Sequence, residues 1–438
     1  MQAVRQITFC AAVVLLWLAG CVGSEELAEN GDYLPVDAGF YASGGASHRF
    51  TLARTDEAVK TVQLFRTGDE SSLPIHTLNS GGTLTLAFDI LEDGTGSPLS
   101  VYFYHADRTW KRDLLPSEFL RSFLSDDIRR YDPSSATEVR YVHYSYDFPN
   151  ANIDFLTSGN YIIRVAEQGY EDEPLFERAF FVSEDAAEVE FAFRSGLSLG
   201  GSILQPVVQI RPGSQLENVQ AFDYTACFVR NGRFEQTRCA PEPSIIDLSL
   251  LQFHLPRDQA FTADEIIYEM NLGMLQVGSQ VAGVDFSTSP YTASLDFDYA
   301  RFGSEVNRAS LTGQPVIDEV YLDGGSADTQ AEYVDVRFRY VPENEQQARG
   351  PVIVTGAFNN WQIDPQNTLT WVPEDGRYEG TLLLKQGLYL YRYYVDDPTA
   401  TPNRNLGLQQ NLYTALVYVF DPTRQTDRLV AFRNALGQ

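Results

Sequence analysis

Apolar and polar residues alternate in short runs along most of this chain, from His48 to the C-terminus. In the run TVQLF, Val62 and Leu64 fall on one face, and the run YVDVRFRYV at 333–341 alternates over its whole length. Alternation with a period of two is typical of β-strands that bury one face. Clusters of Gly, Asn, Asp and Ser separate the runs, as turns do. The pattern therefore predicts an all-β protein built from short antiparallel strands.

The strand runs fall into three blocks, which predict tandem antiparallel β-sandwich domains of the immunoglobulin-like or early-set type. The charge-rich segment VSEDAAEVE at 182–190 marks a break between the first two blocks. We predict an N-terminal sandwich over 48–185, a middle sandwich over 186–312 and a C-terminal early-set-like sandwich over 313–438. The helix candidate is PSEFLRSFLSDD, with Ser117 as its N-cap.

The N-terminus has the features of a lipoprotein signal peptide. Arg5 precedes an apolar run from Ile7 to Ala19, which is too short to span a bilayer comfortably. The closing Leu-Ala-Gly-Cys resembles the lipobox of bacterial lipoproteins, in which the cysteine is acylated and the chain is cut before it. We therefore predict a signal peptide over 1–20 and lipid attachment at Cys21. An ordinary secretory signal with a chance cysteine is the alternative.

Composition narrows the classes of molecule that this protein is expected to bind. The formal net charge is −27, and a surface this acidic repels nucleic acid and anionic lipid headgroups. The segment 21–47 is polar, acidic and Gly-rich, so it predicts a flexible tether rather than a domain. We therefore expect no nucleic-acid partner, and contact with a membrane through the N-terminal lipid only.

Two cysteines lie in the body of the chain, Cys227 and Cys239. The dipeptide Asn231-Gly232 between them is a strong signal for a two-residue hairpin turn. Such a turn would pair position 227 with position 236, which leaves Cys239 three residues out of register. A disulfide between the two cysteines would need a bulge or a longer loop, so the sequence leaves the bond open.

The sequence offers few residue patterns that would carry catalysis or metal binding. It holds no Gly-rich phosphate loop and no Cys-x-x-Cys, and its five histidines lie far apart. His143 is best explained as a strand residue with a satisfied ring. Asp296 and Asp298 alternate with apolar neighbours, which assigns both to the solvent face of a strand. We predict a non-enzymatic protein with no cofactor, no metal site and no small-molecule ligand.

One segment, HADRTWKRDLLPSEFLRSF, has the composition of a protein–protein interface. Aromatic residues and arginine are enriched at binding hot spots. The segment combines both types, in Trp110, Lys111, Arg112, Phe119, Arg121 and Phe123. The alternative is that the aromatic side chains fill the core of the first sandwich.

The segment from Val352 to Asp396 resembles starch- and glycogen-binding modules of the early-set type, through VTGAFNNWQ and LYRYYVDD. The resemblance implies that Trp361 stacks on a sugar ring and that Arg392 hydrogen-bonds sugar hydroxyls. The second stacking tryptophan of those modules falls near Thr399, which cannot stack. The resemblance thus supports the fold more than the ligand.

Five ordered segments give a wider resemblance, to the plug protein of the type IX secretion system of Bacteroidota-type bacteria. They lie at 59–91, 99–123, 144–165, 229–234 and 356–395. The resemblance implies a non-enzymatic protein that binds the periplasmic side of the outer-membrane translocon β-barrel and closes its pore. With the lipobox, it implies a periplasmic lipoprotein anchored to the inner leaflet of the outer membrane. The alternative is a carbohydrate-binding lipoprotein that uses its C-terminal domain.

Overall fold

The computed structural model describes residues 52–198, 201–247, 249–262, 265–278, 280–317, 325–395 and 409–437. Within these ranges the chain is all-β, with strands in six sheets and two one-turn helices, α1 (Pro116–Phe119) and α2 (Ala327–Gln330). This confirms the predicted fold class. No helix of the described part is long and apolar enough to cross a membrane. The predicted signal peptide, tether and lipid site at Cys21 lie outside the described residues.

The first sandwich contains the first nine strands. They are β1 (Val59–Arg66), β2 (Ile75–Thr77), β3 (Leu84–Ile90), β4 (Leu99–Ala106), β5 (Ser125–Ile128), β6 (Arg130–Pro133), β7 (Val142–Phe148), β8 (Gly159–Glu167) and β9 (Pro174–Ser183). One sheet has the order β1-β3-β7-β6 and the other β2-β9-β8-β4-β5. Neighbours are antiparallel except β2 and β9, which are parallel. Both sheets contribute to one core, with Phe88 and Phe103 among its fully buried members.

The second sandwich is built from two separate parts of the chain. The first part supplies β10 (Ala187–Ser198), β11 (Gly201–Pro212), β12 (Tyr224–Arg230), β13 (Arg238–Ala240), β14 (Ile245–Asp247), β15 (Leu250–His254) and β16 (Phe261–Thr262). The strands β10-β11-β15-β14 form one sheet, with β16 beside β11. The other sheet has the order β13-β12 and is completed by the last two strands of the chain.

The third sandwich lies between those two parts in sequence. Its strands are β17 (Tyr268–Asn271), β18 (Val281–Asp285), β19 (Thr292–Leu295), β20 (Asp298–Tyr299), β21 (Tyr333–Val341), β22 (Val352–Gly356), β23 (Thr370–Val372), β24 (Arg377–Lys385) and β25 (Leu388–Val395). The sheets have the orders β17-β25-β22 and β18-β19-β21-β24-β23. In β21, Val334, Val336 and Phe338 are fully buried, as their alternation predicts.

The final hairpin, β26 (Asn411–Asp421) and β27 (Thr426–Gly437), corrects the predicted domain boundaries. β26 pairs with the whole length of β12, from Tyr224 opposite Val419 to Arg230 opposite Tyr413, so the hairpin belongs to the second sandwich and not to the third. The predicted division at 312/313 falls inside the third sandwich, which begins with β17. Alternation identifies a strand but does not select its partner, so a distant pairing of this kind leaves no local signal.

Two local predictions are also corrected. The helix α1 stops after one turn, and its N-cap is Leu115 rather than Ser117. It stops because Leu120 enters an antiparallel bridge with Phe155. The alternation that begins at His48 includes residues 52–54, but these residues lie outside any strand.

The prediction for the acidic pair near β20 holds for Asp296, which is exposed, and is wrong for Asp298. Asp298 is buried, and its carboxylate accepts hydrogen bonds from Tyr391 (2.8 Å) and Tyr393 (2.6 Å). Burial raises the pKa of Asp298 to about 7. Its neighbours Phe297 and Tyr299 are exposed instead. The alternation shifts by one residue at Asp296 and Phe297, which are both exposed, so Asp298 falls on the inward face.

The two cysteines of the second sandwich are joined by a disulfide, Cys227–Cys239. They lie directly opposite each other on β12 and β13. A 3-10 turn at Phe234–Gln236 follows Asn231-Gly232 and takes up the three residues that a two-residue hairpin would leave over. The structure thus uses the longer loop that the sequence required for this bond.

Candidate functional site

The loop after β4 folds back against the loop after β7. Leu120 and Phe155 pair in an antiparallel bridge, and main-chain N–H groups of 119–123 donate to carbonyls of 152–156 at 2.9 and 3.1 Å. These two segments form a short ladder, which we call the loop ladder. Since main-chain hydrogen bonds hold both segments, the side chains on its outer face have defined positions.

Some side chains of the loop ladder face the core and others face solvent. Leu120, Ile153 and Phe155 point inward and belong to the core of the first sandwich. Arg121 and Asp154 point outward and form an exposed ion pair, with 3.3 Å between Nε and Oδ2. The inward face therefore anchors the ladder, while the outward face is available to a partner.

Large apolar side chains are exposed on the ladder and beside it. They are Leu115 (68% exposed), Phe123 (64%), Leu124 (38%) and Leu156 (39%), and we call these four the ladder patch. Single exposed apolar residues are ordinary, but several together with a polar border are typical of an interaction surface. The Arg121–Asp154 pair supplies polar groups among them. The ladder patch is thus suited to binding a protein surface rather than a small molecule.

The residues of the interface predicted from the segment HADRTWKRDLLPSEFLRSF lie partly in the core and partly on the surface. Phe119 is buried in the core, and Trp110 packs edge-on against Phe181, with 5.4 Å between ring centroids. Arg112 is held by Glu177 at 2.6 Å. The exposed members are Lys111, Arg112, Arg121 and Phe123. Composition therefore identified the segment, but Leu115, Leu124 and Leu156 were missed because leucine carries no interface signal of its own.

Trp361 is not placed to bind sugar. It is 2% exposed, and its Nε1–H donates to the carbonyl of Gly313 at 2.8 Å. The Arg233 guanidinium lies over its ring, 4.9 Å from the centroid. Arg392, the other predicted glycan contact, turns toward Glu265, with 3.3 Å between Nη1 and Oε1. The predicted glycan contacts are therefore corrected, because both side chains are used inside the protein.

Glu265 is the centre of an arginine cluster that joins the second and third sandwiches. Its carboxylate pairs with Arg230, with Arg233 at 2.6 Å and with Arg392 at 3.3 Å. Arg233 is fully buried, and burial lowers its pKa to about 9. This contact brings together VRNGRF and YRYYV, two segments that are far apart in sequence and carry the wider resemblance.

A second buried cluster joins the first and third sandwiches around Asp89, which is 0% exposed. Its Oδ1 hydrogen-bonds Nδ1 of His143 at 2.7 Å. Its Oδ2 accepts from the Tyr333 hydroxyl and from the Lys385 ammonium, both at 2.7 Å. Asp89 and His143 belong to β3 and β7, whereas Tyr333 and Lys385 belong to β21 and β24. We call these four residues the Asp89 cluster.

Electrostatics keep Asp89 ionised. Burial opposes ionisation of Asp89, but the charges of Lys385 and His143 outweigh it and hold the pKa of that carboxyl below its usual range. Lys385 also donates to the carbonyl of Asp328 at 2.7 Å and lies 4.3 Å from the ring centroid of Tyr141. The cluster is therefore a satisfied contact between domains, with the hydrogen-bonding groups of a buried ion pair fully used.

The first and second sandwiches are also in direct contact. Arg428 makes two hydrogen bonds to Glu184, at 2.6 and 2.7 Å, and Arg108 pairs with Asp427 at 2.5 Å. An apolar cluster formed by both domains lies beside these pairs; it includes Leu73, Ile75, Phe181, Val229, Leu416 and Leu429. Each sandwich thus packs on the other two, and the described residues fall in one compact unit.

Metal ligands do not converge in the described part of the chain: it contains no group of three or more His, Cys, Asp or Glu placed to hold an ion. The titratable groups that do converge, in the arginine and Asp89 clusters, are buried between domains. The ladder patch, by contrast, is exposed to solvent.

Comparison with solved structures supports the fold over most of the chain. A hypothetical protein from Parabacteroides merdae ATCC 43184 is 22% identical, with a TM-score of 0.76, and the match covers 88% of this chain and 98% of that one. The BSP domain of a biofilm associated protein matches at 7% identity over 92% of this chain and 62% of that one, with a TM-score of 0.18. Dimeric latent PorU from Porphyromonas gingivalis matches at 11% identity over 87% and 34%, with a TM-score of 0.15. The last two scores are too low to carry an argument.

Comparison with protein families identifies the first sandwich. No protein of curated function matches the chain. The family described as "Type 9 secretion system plug protein 1st domain" matches residues 59–184, from the first residue of β1 to just beyond β9. The match includes the loop ladder and the ladder patch. Residues 59–184 thus match the family of first domains of type 9 secretion system plug proteins, which confirms the resemblance over the first three of its five sequence segments.

Proposed function

We propose that this chain is the plug of a type IX secretion translocon, a non-enzymatic protein that binds the periplasmic side of the outer-membrane translocon β-barrel and closes its pore. The observation that carries the proposal is the family match over residues 59–184. The ladder patch lies within that match and supplies an exposed apolar surface with a polar border. We propose that this patch contacts the barrel.

The packing of the three sandwiches suits a plug. A body that blocks a pore must keep its shape under contact, and a chain of loosely linked domains would let the pore leak. Here each pair of domains is joined by buried polar or apolar contacts, including the Asp89 cluster, the arginine cluster and the Glu184–Arg428 pair. These contacts support obstruction by a preformed surface, which loses little conformational entropy on binding.

We further propose that the protein is held at its site of action by a lipid on Cys21. The lipobox-like sequence before this residue and the polar segment at 21–47 support the proposal. Several acyl chains on one residue give stable attachment, whereas a single chain gives only marginal binding. A tether between lipid and body would let the plug leave and return to the pore without being lost from the membrane.

Charge in the ladder patch should abolish capture of the barrel. We expect the tagged wild-type protein to recover a large outer-membrane β-barrel from solubilised membranes, and the double variant Leu115→Asp/Phe123→Asp to lose at least about 90% of it, since carboxylates in an apolar contact must be desolvated. Quantitative mass spectrometry of the captured material measures the ratio.

The control is Leu197→Asp, which places one such carboxylate at an apolar position of the second sandwich that is 78% exposed. This variant should capture the barrel as the wild type does. Equal loss in both variants would argue for a general effect of charge and against the ladder patch. If the tagged protein retained glycan and recovered no barrel, the result would contradict the proposed plug function.

A further inference from the structure

A cleft of about 280 Å³ opens where the three sandwiches meet. The turn between β1 and β2 forms one wall, at residues 66–75, and the 3-10 segment Arg308–Thr312 of the third sandwich forms another. Its base is the outer face of the hairpin β26–β27. We call it the junction cleft. A ligand in this cleft would touch all three domains at once.

One part of the junction cleft is apolar. Its lining includes Leu73, Ile75, Leu311, Leu412, Phe432 and Leu436, contributed by all three sandwiches. Ligand sites for drug-sized molecules usually measure about 300–1,000 Å³. A volume just below that range fits one or two large side chains. The cleft is therefore suited to a small apolar group rather than to a long acyl chain or a folded surface.

The mouth of the junction cleft carries a local excess of positive charge. Arg66 and Arg308 both line it and are exposed, and Asp69, which lines it with them, pairs with Arg66 at 3.1 Å, so the lining carries one net positive charge. The chain as a whole has a formal net charge of −27, so two guanidinium groups at one opening contrast with their surroundings. Arginine binds carboxylates through two parallel hydrogen bonds. The mouth is thus complementary to a carboxylate.

The walls are held in place without a ligand. The Arg66 backbone N–H donates to Ser72 Oγ at 2.8 Å, which closes the turn. Gln314, just beyond the 3-10 segment, accepts from the Leu64 N–H at 2.7 Å and donates to the Ser72 carbonyl at 3.3 Å. These bonds connect the first and third sandwiches across one side of the cleft. A preformed site of this kind does not have to be ordered when a ligand binds.

We propose that the junction cleft binds the carboxyl-terminal residue of an extended peptide. The last side chain, which is large and apolar, enters the cleft, and the terminal carboxylate is bound by Arg66 and Arg308. Hydrogen-bonding side chains beside the apolar lining, Ser71 and Asn434, suit the main-chain amides of the residues before it. The proposal does not depend on the plug function, because it concerns a site in the isolated protein.

The test measures fluorescence anisotropy of N-terminally labelled hexapeptides with the purified full chain. The peptides share one Gly- and Ser-rich sequence and differ in the last residue, which is Leu, Phe, Ala or Lys. We expect the peptides ending in Leu or Phe to bind at least about tenfold more tightly than those ending in Ala or Lys, and amidation of the carboxylate to weaken binding at least about tenfold.

Variants assign the binding to the cleft. Arg66→Gln and Arg308→Gln should each weaken binding about tenfold or more, and both sites are exposed, so the fold should be kept. Arg424→Gln is the matched control, because Arg424 also pairs with an aspartate three residues away, Asp421, and does not line the cleft. It should bind as the wild type does.

Several results would overturn the proposal. One such result is that no peptide in the set binds. Another is that free and amidated peptides bind equally well. A third is that Arg424→Gln weakens binding as much as the two cleft variants do. Decanoate serves as a further probe. Tight binding of decanoate without binding of any peptide would reassign the cleft to fatty acids and would also overturn it.

Discussion

Replacing Lys385 with Met should lower the free energy of unfolding by roughly 3–5 kcal/mol, because it leaves a buried carboxylate without its counter-charge. Lys385 and Asp89 each expose 1% of the side chain, so solvent cannot replace the lost ammonium. In the variant, Asp89 keeps only His143 and Tyr333 as partners. Equilibrium unfolding in urea, followed by tryptophan fluorescence, measures the change.

A second variant and a control separate charge from packing. Lys385→Met combined with Asp89→Asn removes both charges and should recover part of the lost stability. Arg130→Met breaks an exposed pair of the first sandwich, Arg130–Asp147 at 3.1 Å, and should cost less than about 1 kcal/mol. If Lys385→Met costs no more than Arg130→Met, the Asp89 cluster does not hold the first and third sandwiches together.

Gly232→Ala should destabilise the protein much more than Gly81→Ala, although both glycines have a left-handed backbone, with φ of +62° and +72°. A Cβ at position 232 would lie 1.8 Å from the carbonyl oxygen of Thr312, whereas a Cβ at position 81 would meet nothing within 4 Å. We expect a cost of about 1–2 kcal/mol at Gly81 from the backbone alone, and at least about 2 kcal/mol more at Gly232 from the clash.

The comparison tests the contact between two turns of different domains. The Asn231-Gly232 turn belongs to the second sandwich. Thr312 and Gly313 lie at the end of the 3-10 segment of the third sandwich. Thermal unfolding of the two variants beside the wild type gives both values. Equal destabilisation would mean that the backbones of these turns can separate without cost, and the rigid junction would then be doubtful.

Sequence reasoning succeeded where one face of a strand meets a core and the other meets solvent. In β21, Val334, Val336 and Phe338 are buried, while Arg337 between them is exposed. It failed where a second domain covers the other face. In β3, both the apolar Leu86 and the polar Asp89 are fully buried. From sequence alone, a polar residue on the outward face of a strand is interpreted as exposed to solvent. The partner of Asp89, Lys385, lies almost 300 residues away in the sequence.

In the candidate site too, the sequence predicted some features correctly and missed others. The loop composition that included Phe123 and Arg121 pointed to an interface, and both side chains are exposed on the ladder patch. Trp361 pointed to a sugar site and is instead buried beneath Arg233. A tryptophan after a Gly/Asn-rich turn has the same local sequence in either case. The difference arises only because the second sandwich lies against this turn, which local patterns do not specify.

The most direct test of the proposed function is the ion conductance of the purified translocon barrel in a planar bilayer, before and after the chain is added on the periplasmic side. The wild-type protein and Leu197→Asp should close the pore and lower the conductance, and Leu115→Asp/Phe123→Asp should leave the pore open. Binding of the wild-type protein to the barrel with no fall in conductance would contradict the account, because the chain would then be a bound subunit and not a plug.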